Sequence, residues 1–304
     1  MRLGFCTMGY LDYAIVEEAI TRIAKIGYEV IDFWAYSPHL GPDLYGKKER
    51  KKIKRMVEDE GLKTAALSVN GGGLGLHLNF SHSIDKVREE TVKYYHDCID
   101  LAVDIGVPIV NMISGHMMYG TTREQAWEWN RECMMKVVKK AEDKGIMIAL
   151  HTLTPCESKV MVTLDDALRM MREIDSSNCK VMIDTADQNI TDPNLCDAVR
   201  KAGKDLVYVH CNDNSGVGRG DVHLPPGRGT VNWEMFIRTL KEILYDGDLT
   251  VQVHTGYPID IDAWAYESKQ YLHQVLKNLG RKTTMTSEER EKEKMTRLCH
   301  RKSL

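Results

Sequence analysis

The 304-residue sequence contains no CxxC pair, and its eight cysteines follow no regular spacing. That argues against a disulfide framework. Cys6, Cys98 and Cys133 fall inside predicted strands or helices, where a free thiol behaves as a small hydrophobe, so the usage is that of a reducing cytoplasm. Charge of one sign is also missing: the formal net charge is -3, which gives neither nucleic acid nor an anionic membrane a reason to bind. No stretch approaches the roughly 18 consecutive apolar residues of a membrane helix. After Met1 and Arg2 the apolar run is short and broken by Gly9 and Asp12, so no signal peptide is expected and the chain is read as cytoplasmic. No GxGxxG follows the first apolar run, which removes the usual dinucleotide fingerprint.

What is present is an alternation. Short apolar, β-branched runs occur at LGFC (3–6), VIDFW (30–34), TAALSV (64–69), PIVNMI (108–113), MIALH (147–151), KVMID (180–184), LVYVH (206–210) and TVQVH (250–254). Between them lie amphipathic stretches of helical period at 15–27, 47–61, 84–106, 122–144, 163–174, 193–203, 232–245 and 261–279. Gly27, Gly61, Gly106, Gly145 and Gly203 stand where a helix C-cap requires them. Continuous apolar strands alternating with helices imply a parallel sheet covered on both faces. Eight such units predict an α/β fold, a single-domain (β/α)8 TIM barrel over residues 1–280. Residues 281–304, RKTTMTSEEREKEKMTRLCHRKSL, form a charged C-terminal tail, read as a solvated helix, a free end or an arm against a neighbouring subunit.

Barrels of this kind build their sites at the carboxyl ends of the strands. The fifth predicted strand ends in His151, the sixth in Asp184, the seventh in His210 and the eighth in His254. One strand-end histidine is most simply a packed residue. Three imidazoles and a carboxylate on successive strands predict a divalent metal site of Mn, Fe, Co or Zn type, since Mg and Ca prefer oxygen shells. Glu157 follows His151 in the next loop, and Asp187 follows Asp184. Asp213, Arg219, His223 and Arg228 lie in the long glycine-rich loop after His210. Trp34 ends the second strand and His116 follows the fourth, so both are placed on the opposite wall. Cys156 and Cys211 flank the site and are read as packed.

From the fifth strand onward, VMIDTADQNI, YVHCNDN, PPGRGTVNW and DAWAYESKQYL resemble the xylose isomerase-like barrels. That superfamily of sugar phosphate isomerases and epimerases includes the ketose 3-epimerases. The resemblance implies a divalent ion, manganese first and cobalt, iron or zinc as alternatives, held by Glu, Asp, His and Glu at strands five to eight. The matching positions are His151, Asp184, His210 and His254. Both family glutamates, which bind metal and shuttle protons, are thus expected to be histidine here. The family's substrate-binding glutamate is matched by Glu157, an arginine after the seventh strand by Arg219, and Asp187 replaces a histidine.

The implied chemistry is removal of a proton α to a carbonyl of a carbohydrate, with the metal as Lewis acid. A histidine holding metal through one nitrogen serves poorly as base, so Glu157, Asp187 or His116 would take that role. Alternatively His151 or His254 stands off the metal and acts itself, with an ordinary pKa near 6.5. The expected catalytic residues are His151, His254 and Glu157; the expected substrate-binding residues are Trp34, His116, Glu157, Asp187 and Arg219. Three functions remain open: sugar isomerase or epimerase, a lyase-type barrel subunit like those of C-glycoside deglycosidases acting on 3-oxo-glycosides, and a non-catalytic sugar- or partner-binding barrel. The expected partners are a small carbohydrate and, in a homo-oligomer or hetero-oligomer, a second subunit.

Overall fold

The computed structural model describes residues 1–69, 77–192, 194–217, 222–254 and 260–284, with backbone alone for 281–284. Eight strands close into one parallel barrel in sequence order: β1 (Leu3–Cys6), β2 (Val30–Trp34), β3 (Lys63–Val69), β4 (Ile109–Ile113), β5 (Met147–His151), β6 (Cys179–Asp184), β7 (Leu206–Cys211) and β8 (Leu249–Val251). The outer ring contains α1 (Val16–Ile26), α2 (Lys47–Asp59), α3 (Asp85–Ile105), α4 (Arg123–Lys144), α5 (Leu164–Ile174), α6 (Thr185–Thr191), α7 (Leu195–Ala202), α8 (Trp233–Glu242) and α9 (Ile261–Thr284). None of the described helices is long and apolar enough to cross a membrane.

The local causes are visible residue by residue. Every residue of β1 and β2 is buried, as expected of strands covered on both faces. In α1 the buried positions are Val16, Ala19, Ile20 and Ile23, one stripe at helical spacing facing the barrel. α5 starts at a capping box in which Thr163 and Asp166 satisfy each other's backbone N–H groups. α1, α3 and α4 stop at Gly27, Gly106 and Gly145, all in the left-handed conformation that relieves a helix end.

Three elements depart from the sequence reading. β8 ends at Val251 rather than at residue 254. α6 begins immediately after β6, where a loop was expected, because the Asp184 side chain accepts the N–H groups of Ala186 and Asp187 and caps a new helix. α9 continues to Thr284, past the expected boundary at residue 280. Residues 285–304, most of the expected tail, lie outside the described residues.

Candidate metal centre and substrate cavity

At the carboxyl ends of the strands a cavity of about 470 Å³, counting its open mouth, is lined by His151, Asp187, His210, His223 and Glu157 on one side. Met8, Trp34, Ser68, Val69, Asn111 and Gln252 form much of the rest. In its wall the ligand-competent atoms of His151, Asp184 and His210 all lie within 4.8 Å of one another, and a second group, Asp184, Asp187 and His223, meets the same limit. His151 Nε2 stands 3.9 Å from Asp184 Oδ2 and His210 Nδ1 3.5 Å from it. Both nitrogens are buried and make no hydrogen bond.

Asp184 is fully buried. Its Oδ1 caps α6, and its Oδ2 accepts 2.9 Å from Asn212 Nδ2 while facing the imidazoles. Burial opposes its ionisation most strongly. The charge of His223, the close approach of His210 and the charges of His151 and His210 outweigh burial and hold the carboxyl below its ordinary range. The Asp187 carboxylate bridges two rings, with Oδ2 3.3 Å from His151 Nε2 and Oδ1 3.4 Å from His223 Nε2.

His210 is fixed from behind. Its Nε2 is 2.8 Å from Asp32 Oδ2 on β2. That carboxylate also accepts from Ser68 Oγ at 2.8 Å and Tyr208 Oη at 3.1 Å. Burial pushes the His210 imidazole down, but Asp184 and Asp32 more than compensate and raise its pKa to about 9 in the cation-free protein. With an acceptor-only carboxylate at Nε2, the neutral ring carries its proton there and turns the Nδ1 lone pair toward Asp184. Histidine ligands of metal ions are oriented by carboxylates in this way. Two unpartnered buried imidazole nitrogens beside an ionised carboxylate, one already oriented, fit a divalent cation.

His151, Asp184 and His210 therefore come together, whereas His254 is in neither group of ligand atoms. The reason is register. Thr250, Gln252 and His254 alternate onto one face, but pairing with β7 stops at Cys211 and Val251. Gln252 is the residue brought to the cavity wall, buried between Asn212 and Met8. The half-buried His254 has passed into an antiparallel bridge with His223, and it is His223 that faces Asp187.

Glu157 and Trp34 line the cavity. Glu157 Oε2 accepts from both the N–H and the hydroxyl of Thr154. His116 is not among the lining residues; its backbone is held by both ends of the Asn79 amide. Arg219 lies outside the described residues. Asp213 proves structural: it accepts from Asn214, Gly227 and Val231 backbone N–H groups and from Trp233 Nε1, tying PPGRG to the barrel. Arg228 turns outward to Glu267. Burial in the core pushes the Cys211 thiol well up, so it is packed as expected. The sequence reading passed over Asp32, Ser68, Asn111 and Gln252. The available signal was a polar residue inside an otherwise apolar barrel strand, as in VIDFW and IVNMI.

A search of curated proteins finds fructoselysine 3-epimerase of Shigella flexneri, 25% identical over 84% of this chain and 91% of that protein. D-psicose 3-epimerase of Ruminiclostridium cellulolyticum is 26% identical over 77% of this chain and 76% of its own length. Among solved structures, a D-tagatose 3-epimerase-like protein superimposes with a TM-score of 0.79 at 22% identity, covering 93% of this chain and all of that one. The family model described as xylose isomerase-like TIM barrel matches residues 20–275. The chain belongs to the xylose isomerase-like TIM barrel family.

Proposed function

We propose that this chain is a divalent-cation-dependent enzyme of the sugar isomerase and epimerase type, which removes a proton α to the carbonyl of a carbohydrate. The observation that carries the reading is the buried meeting of His151 Nε2, Asp184 Oδ2 and His210 Nδ1, two of them without hydrogen bonds, at one cavity. Those three residues would hold the cation, manganese first among the candidates. A bound cation would supply Lewis-acid stabilisation of the oxyanion that forms when the carbonyl carbon's neighbour loses its proton.

The chain's own groups do the rest. Asp32 keeps the His210 proton on Nε2. Asp187, buried and acceptor-only when ionised, takes the substrate proton, and the adjacent His223 Nε2 stabilises or accepts it. The electron pair left on carbon moves into the carbonyl, giving an enediolate. Glu157, oriented by Thr154, addresses a substrate hydroxyl.

One asymmetry bears on the reaction class. Among the described residues the titratable groups on the cavity wall, His151, Glu157, Asp187, His210 and His223, come from β5, β7 and the segments after β5 to β7. The remaining wall carries Met8, Trp34, Ser68, Val69, Asn111 and Gln252. Epimerisation by two opposed carboxylates needs acid-base groups on both faces of the substrate. Groups gathered on one side favour a one-face transfer: isomerisation between adjacent carbons, or elimination of a β-substituent from a 3-oxo-glycoside. The test is metal analysis of the purified protein followed by incubation in D2O with free ketohexoses and with a 3-oxo-glucoside. Stoichiometric metal and chelator-sensitive deuterium incorporation are expected. A cation-free protein indifferent to chelators overturns the reading.

A further inference from the structure

Away from the cation cluster, one rung of the sheet carries polar groups whose hydrogen bonding is incomplete. The parallel register aligns Trp34 on β2 with Ser68 on β3, and Ser68 with Asn111 on β4. The three side chains therefore leave their strands at one level and on one face. All three line the cavity. Trp34 Nε1 and Asn111 Oδ1 are buried, and neither has a hydrogen-bond partner. An orphaned buried polar atom costs about 1–3 kcal/mol. Two on one cavity wall point to something that satisfies them.

The polarity of each atom is fixed by the network behind it. Asp32 is an acceptor, so the single Ser68 hydroxyl proton goes to it, at 2.8 Å. Ser68 Oγ must then accept from Asn111, and Asn111 Nδ2 donates to it at 2.8 Å. The amide cannot be turned round, because two acceptors would then face each other across a proton already committed. Asn111 therefore keeps an unpaired carbonyl oxygen, and the Trp34 indole an unpaired N–H, on two residues of the cavity wall. A carbonyl ligand would satisfy Trp34 alone and an ammonium Asn111 alone. A hydroxyl both accepts and donates.

We propose that Trp34 Nε1 and Asn111 Oδ1 form a hydroxyl-reading subsite on the β2–β4 wall, which fixes the polyol end of the substrate while its carbonyl end faces His151, Asp184 and His210. The inference rests on the carbohydrate reading above and makes the substrate a polyhydroxylated carbonyl compound with a hydroxyl beyond the carbon that loses its proton. Asn111 acts on binding, not on chemistry, and the same ordered chain that aims its oxygen ends on Asp32, which orients His210.

The test is calorimetric binding of D-psicose and its mono-deoxy analogues to the Mn2+-loaded protein, as wild type and as Asn111→Leu. The variant is expected to bind D-psicose about tenfold more weakly with Mn2+ content unchanged, the loss of one substrate hydrogen bond. One mono-deoxy analogue should bind the wild type about tenfold more weakly, and that analogue should lose nothing further in the variant. Should Asn111→Leu not fold, the deoxy series on the wild type decides alone. Equal binding of every deoxy analogue means that water occupies the rung and overturns the subsite, while leaving the carbohydrate reading intact. A wild type that loads Mn2+ but binds neither D-psicose, D-fructose nor a 3-oxo-glucoside overturns both.

Discussion

Replacing Asp32 by Asn should weaken the protein's hold on its cation, although Asp32 itself is not among the three residues assigned as ligands. Asp32 receives three donors: Ser68 Oγ at 2.8 Å, Tyr208 Oη at 3.1 Å and His210 Nε2 at 2.8 Å. A carboxylate accommodates all three, whereas an amide offers one acceptor oxygen and a donor NH2. All three meet Oδ2, so wherever the amide NH2 takes that position one of the three must become an acceptor. Imidazole can do so by moving its proton from Nε2 to Nδ1, the atom 3.5 Å from Asp184 Oδ2. The proton would then occupy the lone pair meant for the cation. Loss of such a carboxylate behind a histidine ligand lowers metal affinity about 10–100-fold, equivalent to about 1.4–2.8 kcal/mol. Competition of Mn2+ binding against a chelating dye at constant pH, with far-UV circular dichroism to verify folding, reads the change directly. A folded Asp32→Asn protein with wild-type Mn2+ affinity would refute the assignment of His210 Nδ1 as a ligand atom.

In the cation-free protein the His210 pKa stands above its ordinary value, at about 9. Its contribution to stability is therefore complete below pH 6.5 and is lost as pH rises toward 9. Cation binding has the opposite dependence, because it must displace that proton: affinity should rise up to tenfold per pH unit between 7 and 9. Proton release measured calorimetrically in buffers of different ionisation enthalpy tests this, and its absence counts against His210 as ligand. Asp187→Asn should keep its cation yet lower deuterium exchange into substrate by at least about 100-fold; unchanged exchange removes Asp187 as base. Asp213→Ala strands four donors, two from PPGRG and its exit, and should lose about 4 kcal/mol, lowering Tm by roughly 10 °C in a scan. Gly229→Ala should also destabilise, by about 1–3 kcal/mol, since an added Cβ would meet the Asn214 backbone oxygen and Asp213 Oδ1. Wild-type melting of either variant would contradict the anchoring role given to Asp213.

The sequence by itself determined the barrel, because periodicity is a local property. Short apolar runs such as MIAL, set between amphipathic helical stretches, read as strands covered on both faces, and stripes such as Val16, Ala19, Ile20 and Ile23 read as inward-packing helix faces. It also placed His151, Asp184 and His210 at their strand ends, since each closes an apolar run at the point where the chain leaves the barrel. The tertiary structure decided the rest. Whether Gln252 or His254 reaches the cavity depends on where pairing between β7 and β8 stops, which no residue of β8 encodes alone. His223 meets Asp187 only because a long loop folds back against residue 254. Asp32, Ser68 and Asn111 lie on three different strands, far apart in the chain, and become one hydrogen-bonded chain only when barrel closure sets them side by side and directs them to His210. A strand's period shows which face a residue occupies; only the register of its neighbours shows what it touches.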